Sequence, residues 1–306
     1  MSLKRKVLKL KFTTALHYGN NGKPGLLSTD SMILSDTIYS AICDIEPKDI
    51  DKLINLVENK KLLISDMLPY VGDKLLIPKG IGMIKFEEGK EIDRTVYKKI
   101  KKLDYLPVDK VEKMASKCSE ELIEEALTLQ EKIGVFSIKT SNRISRNEED
   151  TLPFIMEIFT FYKNAGLYLL IDYDNEETFN FIKEKIISLG LLGVGGKRSS
   201  GLGKFEVVEI TDFPLNKDKG RYLLLSTALP SEEVELANFS VVKRSGFYEQ
   251  ENEVYKKRDI FAIKSGLVVD VPFTGVILND LAKNHTVYRF LMPLFVRLEI
   301  WLKNTD

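Results

Sequence analysis

The sequence predicts an α+β protein built from two ferredoxin-like domains in tandem, each with the RRM-like order βαββαβ. Over residues 7–210, apolar residues recur in the order strand, helix, long insertion, strand, helix, strand. Residues 221–230 echo the pattern of residues 9–16, which suggests a second unit. A glycine-rich loop at residues 193–203 falls between the second predicted helix and the last strand of the first unit.

Length and composition are compatible with this plan. A chain of 306 residues with 44% hydrophobic content is long enough to form two cores. We place the boundary after Pro214. Residues 1–214 form the N-terminal ferredoxin-like domain, with an insertion at about 60–150 that hides its second strand. Residues 215–306 form a degenerate ferredoxin-like domain.

The first predicted strand covers residues 7–16, where apolar and polar side chains alternate. A helix is expected over residues 28–44, because its apolar residues share one face and either Asp30 or Ser31 can cap it. Within the insertion, the clearest element is a helix near residues 119–133.

The next strand and helix lead to the glycine-rich loop. A strand is predicted over residues 166–172, followed by a helix that Asn175 caps and Gly190 ends. In the second domain we expect a brief helix at 232–238 and strands around 241–248, 254–264, 266–271 and 286–300.

Charge and cysteine content narrow the class of protein. Lys plus Arg and Asp plus Glu both total 45, so net charge does not indicate a partner. Cys43 and Cys118, with His17 and His285, have no metal-site spacing, so we expect neither metal nor cofactor. Two reduced thiols and the lack of a membrane-spanning run favour a cytoplasmic protein without membrane contact.

The glycine-rich loop carries the main functional signal, because it combines backbone freedom, hydroxyls and cations without any acid. Its residues of interest are Gly193, Gly195, Gly196, Lys197, Arg198, Ser199, Ser200, Gly201, Gly203 and Lys204. This composition suits a phosphate-bearing ligand. The order helix, loop, strand is opposite to that of mononucleotide and dinucleotide loops, which argues against those motifs.

A second basic segment lies in the insertion. Residues 139–146 include Lys139, Arg143 and Arg146 and contain no acid. The segment can be a solvated hairpin tip or a finger that contacts a nucleic-acid backbone, and the sequence leaves both possibilities open.

Several motifs together resemble the RAMP superfamily of CRISPR proteins and, more narrowly, the fourth subunit of the type III-A Csm effector complex. They are the glycine-rich loop, Leu16-His17-Tyr18-Gly19, Ser31 to Ala41, Asn142 to Arg146, Gly166-Leu167-Tyr168 and, more weakly, Lys264-Ser265-Gly266 and His285 to Arg289.

The resemblance implies a protein that caps the 5′ end of a crRNA without cleaving it. Such a subunit holds the single-stranded 5′ tag and joins the large polymerase-like subunit to the backbone subunit. The implied RNA-binding set comprises the loop residues named above, Arg143 and Arg146 on the finger, Ser35 or Asp36 near a 2′-hydroxyl, and His17.

Other functions stay open at this point. A Cas6-like, metal-independent endoribonuclease that processes precursor crRNA would use His17 as its general base. A metal-dependent nuclease would need Asp30 or Asp36, although neither has a second acid placed to share a cation. A protein-interaction scaffold would use the glycine-rich loop only as a tight turn.

Overall fold

The computed structural model describes residues 3–19, 26–87, 92–143, 152–215, 217, 219–250, 253–281 and 286–299. The helices in these ranges are α1 (Ser35–Ile45), α2 (Ile50–Glu58), α3 (Arg94–Lys102), α4 (Val111–Ser116), α5 (Glu120–Glu131) and α6 (Glu176–Leu192). The strands of the first part are β1 (Lys4–Phe12), β2 (Leu62–Ile64), β3 (Leu68–Val71), β4 (Lys74–Pro78), β5 (Tyr105–Pro107), β6 (Gly134–Arg143), β7 (Leu152–Phe161), β8 (Ala165–Tyr173) and β9 (Phe205–Thr211). Those of the second part are β10 (Arg221–Leu224), β11 (Val241–Arg244), β12 (Phe247–Gln250), β13 (Glu253–Lys256), β14 (Ile260–Ile263), β15 (Val268–Val269), β16 (Val276–Leu281), β17 (Thr286–Leu291) and β18 (Phe295–Leu298).

The main sheet has the strand order β5-β4-β3-β8-β1-β9, and β2 also pairs with β8. The central strand β1 runs antiparallel to both β8 and β9. Every residue of β8 is buried, as its almost unbroken apolar sequence requires. The combination of antiparallel sheets and helices confirms the predicted α+β class.

The position beside β8 is filled by a split strand. β2 pairs with residues 171–173 of β8, and β3 pairs with residues 165–168. Both β2 and β3 lie at the beginning of the predicted insertion. The rest of the insertion adds β4 and β5 to the sheet, contributes α3 to α5, and ends in the β6–β7 hairpin. Helix α5 confirms the helix predicted near residues 119–133.

Helix α1 begins later than the sequence indicates. Its N-cap is Leu34, and no side chain caps it. Asp30 accepts instead from the backbone N–H of Ser31 (2.8 Å) within the preceding loop. The first helical N–H group, that of Ser35, donates to Asp66 Oδ1 at 2.8 Å. The carboxylate of Asp66, which is distant in the sequence, therefore accepts the hydrogen bond that a local capping side chain was expected to accept.

Helix α6 has the predicted start but a later end. The Asn175 side chain accepts from the backbone N–H of Thr178 at 3.0 Å and caps the helix. Gly190 lies inside the helix, where a Cβ would stand 2.3 Å from the carbonyl oxygen of Phe205. The helix ends at Leu192, and Gly193 follows with a φ of +88°. Close packing of α6 on β9, rather than helix termination, explains why position 190 is a glycine.

The second part of the chain consists of small antiparallel pairings. A three-stranded sheet has the order β15-β10-β18, and β11–β14, β12–β13 and β16–β17 form ladders. The helix predicted at 232–238 is wrong, because these residues have no regular structure. Among the described residues beyond β9 there is no helix, so a ferredoxin-like second domain stays a prediction.

The two parts of the chain share one hydrophobic core, which includes residues from β1, α1, β8 and β17. Tyr39 of α1 stacks on Phe290 of β17 with ring centroids 4.7 Å apart. The guanidinium of Arg5 donates to both carboxylate oxygens of Asp172 and to the carbonyl oxygen of Phe295. These contacts fix the second part against α1 and the main sheet.

Candidate functional site

The glycine-rich loop folds back over the segment that follows β1. The backbone N–H of Gly196 donates to the carbonyl oxygen of His17 (2.7 Å), and that of Gly203 donates to Ala15 (2.8 Å). Val194 N–H closes the loop by donating to Gly203 at 3.0 Å. The loop is therefore a fixed structure anchored to the segment that follows β1.

Most of the glycines are needed for contacts within the protein. An added Cβ would lie 2.5 Å from the Leu202 carbonyl at Gly193, 2.5 Å from the His17 carbonyl at Gly195, and 1.9 Å from the Val194 carbonyl at Gly203. By contrast, a Cβ at Gly201 would meet nothing within 4 Å. These three positions are glycines because other parts of the backbone approach them closely, and no ligand is needed to explain them.

The outer turn of the loop is exposed. Arg198, Ser199, Ser200 and Lys204 are on the surface. Lys197 is half-buried and has a left-handed backbone with a φ of +60°. The turn thus presents cations and hydroxyls to solvent, as the sequence predicts.

The loop cations also reach neighbouring elements. Lys197 Nζ lies 5.1 Å from the centroid of the Phe154 ring on β7, a cation–π contact. Arg198 Nη2 lies 3.7 Å from Asp44 Oδ2 at the end of α1. The glycine-rich loop is therefore in contact with the hairpin on one side and with α1 on the other.

His17 is held beneath the loop. Its side chain is 5% exposed, and Nδ1 donates to the carbonyl oxygen of Glu157 at 2.8 Å. A Cβ on Gly196 would stand 2.9 Å from its Cδ2 atom. This environment does not present the imidazole to a ribose hydroxyl, so the structure does not favour the endoribonuclease alternative.

The two α1 residues proposed to contact RNA differ in accessibility. Ser35 is fully buried, and its Oγ accepts from the backbone N–H of Thr227 at 3.2 Å. This burial leaves no surface for a ligand, and we do not retain Ser35 in the RNA-binding set. Asp36 is 6% exposed, and its Oδ2 accepts from Arg244 Nε at 2.8 Å.

The predicted finger is the β6–β7 hairpin, which is paired without interruption from Gly134↔Phe161 to Arg143↔Leu152. Arg143 is the last residue of β6. Arg146 lies outside the described residues. His285, a weaker element of the resemblance, also lies outside them.

A cleft of about 1010 Å³ separates the glycine-rich loop from the second part of the chain. We call it the central cleft. Its walls include Gly195, Gly196 and Arg198 from the loop, Asp36, Thr37, Ser40, Cys43 and Asp44 from α1, and Arg244, Phe247, Lys257, Tyr288 and Arg289 from the second part.

Sequence reasoning missed the residues that the second part contributes to the central cleft. Arg244 meets Asp36 although 208 positions separate them. One signal was available, because Lys243-Arg244-Ser245-Gly246 resembles the Lys197-Arg198-Ser199-Ser200-Gly201 stretch. The remaining wall residues carry no comparable pattern.

The chemistry of the site gives no support for a metal centre or a reactive thiol. In the described ranges, no group of three His, Cys, Asp or Glu side chains is placed to hold a metal ion. Burial, assisted by the neighbouring Asp44, raises the pKa of the Cys43 thiol to about 12, so this thiol is protonated at neutral pH. No helix of the described chain is long and apolar enough to span a membrane.

Comparison with solved structures places the fold. A chain in the crystal structure of a Csm1-Csm4 cassette in complex with AMPPNP aligns with a TM-score of 0.64 and 18% identity, covering 98% of this chain and 99% of that one. A chain in the crystal structure of the Csm3-Csm4 subcomplex of the type III-A CRISPR-Cas interference complex aligns with a TM-score of 0.62 and 21% identity, covering 96% and 99%.

Sequence comparison gives the family. The model for the CRISPR Csm4 C-terminal domain matches residues 217–298. The CRISPR system Cms protein Csm4 of Streptococcus thermophilus is 28% identical, covering 93% of this chain and 96% of the relative. The protein of the same name from Mycobacterium tuberculosis (strain CDC 1551 / Oshkosh) is 31% identical over 297 residues, covering 92% of this chain and 94% of the relative. With that identity over almost its whole length, the chain belongs to the Csm4 family of CRISPR proteins.

Proposed function

We propose that this chain binds the 5′ tag of a crRNA in a type III-A Csm complex and joins the large polymerase-like subunit to the backbone subunit. Membership of the Csm4 family supports this role. The structurally similar complexes are a Csm1-Csm4 cassette and a Csm3-Csm4 subcomplex. We extend both partnerships to this chain as part of the proposal.

The observation that carries the RNA-binding part is the exposed turn of the glycine-rich loop at the rim of the central cleft. Lys197, Arg198 and Lys204 supply positive charge, and Ser199 and Ser200 supply hydroxyl groups. Because a single-stranded RNA presents phosphates along its length, cations on a rigid turn can fix its position. The loop is anchored to the segment that follows β1, so little ordering is needed on binding.

The hairpin extends this surface. Lys197 already contacts Phe154 of β7, so an RNA strand lying on the loop would pass close to the hairpin. We retain Arg143, the last residue of β6, and Arg146 as proposed contacts. Asp36 is retained as a wall of the central cleft, and His17 is retained as a support for the loop backbone rather than as a direct contact.

Strand order supports a ferredoxin-like plan for residues 1–214. The order β9-β1-β8 followed by β2 and β3, with α1 and α6 as connections, is that expected for a βαββαβ unit. The match of the Csm4 C-terminal model to residues 217–298 supports a boundary near residue 214.

We propose a binding role rather than an enzymatic one. General-base catalysis requires an imidazole within hydrogen-bond reach of the ribose hydroxyl. His17 is buried and uses Nδ1 to hold Glu157, which places it poorly for that task.

A salt series on a reconstituted complex tests the proposal. The logarithm of RNA affinity should fall steeply with the logarithm of salt concentration, and replacing Lys197 and Arg198 by Ala should flatten the slope by about 1.4, since each contact contributes about 0.7. Lys98→Ala with Lys101→Ala on α3 is the control, because it removes the same charge from another exposed surface. A slope that changes equally in both double variants would contradict a site at the loop.

Assembly is tested by mass spectrometry of what co-purifies with the native protein. The proposal expects the large subunit, the backbone subunit and an RNA that carries the repeat-derived tag. If the partner proteins are recovered and the salt response is flat, the chain is a protein scaffold and the RNA-binding role fails.

A further inference from the structure

The charged side chains that line the central cleft are mostly cations. They are Arg198, Arg244, Lys257 and Arg289, with the carboxylates Asp36 and Asp44. Asp36 is already paired, because its Oδ2 accepts from Arg244 Nε at 2.8 Å. The remaining groups leave an excess of positive charge in which Asp44 is the unmatched carboxylate. The central cleft therefore suits an anionic ligand.

Two of the cations serve the fold. Arg244 is buried in its pair with α1, and the buried Arg289 donates to the carbonyl oxygens of Arg244 (3.2 Å) and Arg258 (2.6 Å). The cations placed to meet a ligand are Arg198 on the glycine-rich loop and Lys257 on the second part of the chain. They lie on opposite walls, so one anion in the cleft can be contacted from both sides.

Asp44 is an anion of this protein that both cations reach. Its Oδ2 lies 3.7 Å from Arg198 Nη2, and the charges of Arg198 and Lys257 both act on its carboxyl group. The carboxylate therefore marks a place where one negative group is attracted from both walls.

Asp44 holds this place loosely. Its side chain keeps 67% of its surface open to the cleft, and Arg198 keeps 40%. The cleft walls nevertheless displace bulk water from the carboxyl group and raise its pKa, and the two cations only partly oppose this effect. Exposed ion pairs contribute little, whereas Arg can bind a phosphate through two N–H groups. A phosphate can therefore replace the carboxylate at Arg198.

We propose that Arg198 and Lys257 hold one phosphate of the bound RNA across the central cleft, and that Asp44 occupies this place in the free protein and competes with the phosphate. The inference rests on the proposed function and deepens it. It adds Lys257, from the second part of the chain, to the RNA-binding set, and it makes Asp44 a residue that lowers the affinity. The cleft volume of about 1010 Å³ is sufficient for a nucleotide.

Asp44→Asn tests the competition. In the reconstituted complex, an RNA with the repeat-derived tag should bind this variant about three- to tenfold more tightly at low salt, because the carboxylate no longer repels the phosphate or holds Arg198. Asp212→Asn is the control, since Asp212 is an exposed carboxylate that pairs with Lys6 at 2.8 Å and is not among the residues that line the cleft. Equal gains in both variants would be an effect of net charge and would overturn the competition.

Lys257→Met tests the second wall of the cleft. It should weaken tag binding and flatten the dependence of log affinity on log salt concentration by about 0.7, as expected for one phosphate contact. Lys256→Met is the matched control, because Lys256 is exposed, pairs with Asp259 at 3.3 Å and is not among the lining residues.

The two lysine variants also separate this inference from the proposed function. If tag binding is tight and salt-dependent and Lys257→Met behaves like Lys256→Met, the phosphate site is wrong and the proposed function stands. If the native complex does not bind the tag, the proposed function fails and the phosphate site fails with it.

A combined variant tests whether the three side chains share one phosphate. In a chain with Arg198→Met and Lys257→Met, no phosphate is held beside Asp44, so adding Asp44→Asn should increase the affinity much less than it does in the native chain. An increase of the same size in both chains would mean that Asp44 acts on the RNA from a distance. That result would overturn the shared site.

Discussion

Arg244 of β11 donates from Nε to Oδ2 of Asp36 on α1 at 2.8 Å, and both side chains are buried. Arg244 Nη2 also donates to Thr37 Oγ1 at 2.7 Å. This pair links the second part of the chain to α1 and forms the inner wall of the central cleft. Its integrity therefore affects both stability and the proposed site.

Arg244→Met should lower the free energy of unfolding by about 3–5 kcal/mol, because it leaves Asp36 buried and uncompensated. The double variant with Asp36→Leu should recover much of this loss, since both charges are then absent. Chemical denaturation of the two single variants and the double variant measures the coupling.

Arg221→Met is the control for this cycle. Arg221 donates to Asp270 at 2.5 Å, but Asp270 is largely exposed, so the cost should be about 1 kcal/mol or less. Equal losses at Arg244 and Arg221 would show that burial of the Asp36 pair contributes nothing.

Asp66 gives a prediction about pH. Burial raises the pKa of this carboxyl, although the backbone N–H groups of Ser35 and Thr227 donate to it. The unfolded carboxyl, with a pKa of about 3.9, releases its proton at lower pH than the folded one. The folded state then binds more protons, and stability falls as pH rises above that value.

Asp66→Asn should remove this dependence, because its amide oxygen can accept the same two N–H groups without titrating. Between about pH 4 and about pH 7, the free energy of unfolding of the native protein should decline relative to the variant, by at most about 1.4 kcal/mol per pH unit. Asp51→Asn on α2, at an exposed position, is the control. A native protein that gains stability relative to Asp66→Asn with rising pH would contradict the raised pKa.

Elements defined by local pattern were predictable from the sequence. Strand β8 is an almost unbroken apolar run, the side chain of Asn175 caps the start of α6, and α5 has its own apolar face. Tertiary contacts explain the two elements that the sequence predicted wrongly, the start of α1 and the helix at 232–238. Helix α1 starts where Asp66 meets the N–H of Ser35, a partner 31 positions away. Residues 232–235 are exposed, so a short helix there has no packing to stabilise it.

The candidate site was only partly predictable, for a related reason. The loop was found by composition, and its cations are on the surface as expected. The role of its glycines could not be predicted from the sequence. The carbonyl groups that crowd Gly193, Gly195 and Gly203 come close to them only in the folded chain. The same holds for Arg244, which reaches Asp36 from the second part of the chain.

Gly203 and Gly201 allow a matched test of the loop packing. Both have a left-handed backbone, with φ of +74° and +82°, so Ala at either position carries a similar strain of about 1 kcal/mol. Only at Gly203 would the new Cβ lie 1.9 Å from a carbonyl oxygen, that of Val194. Gly203→Ala should therefore cost about 1–3 kcal/mol more in unfolding free energy than Gly201→Ala. Equal costs in thermal or chemical denaturation would contradict the crowded loop.

His17 separates a supporting role from a catalytic one. His17→Ala leaves the carbonyl of Glu157 without its donor and should cost about 1–3 kcal/mol of stability. His17→Asn offers a side-chain N–H near the place of Nδ1 while removing Nε2, so it should retain more stability than Ala and cannot act as a general base. Under the supporting role, guide RNA isolated with either variant has the native length on a denaturing gel. Accumulation of unprocessed precursor with both variants, whatever their stability, would instead mean that the imidazole cleaves RNA and that its burial beneath the loop is relieved during turnover.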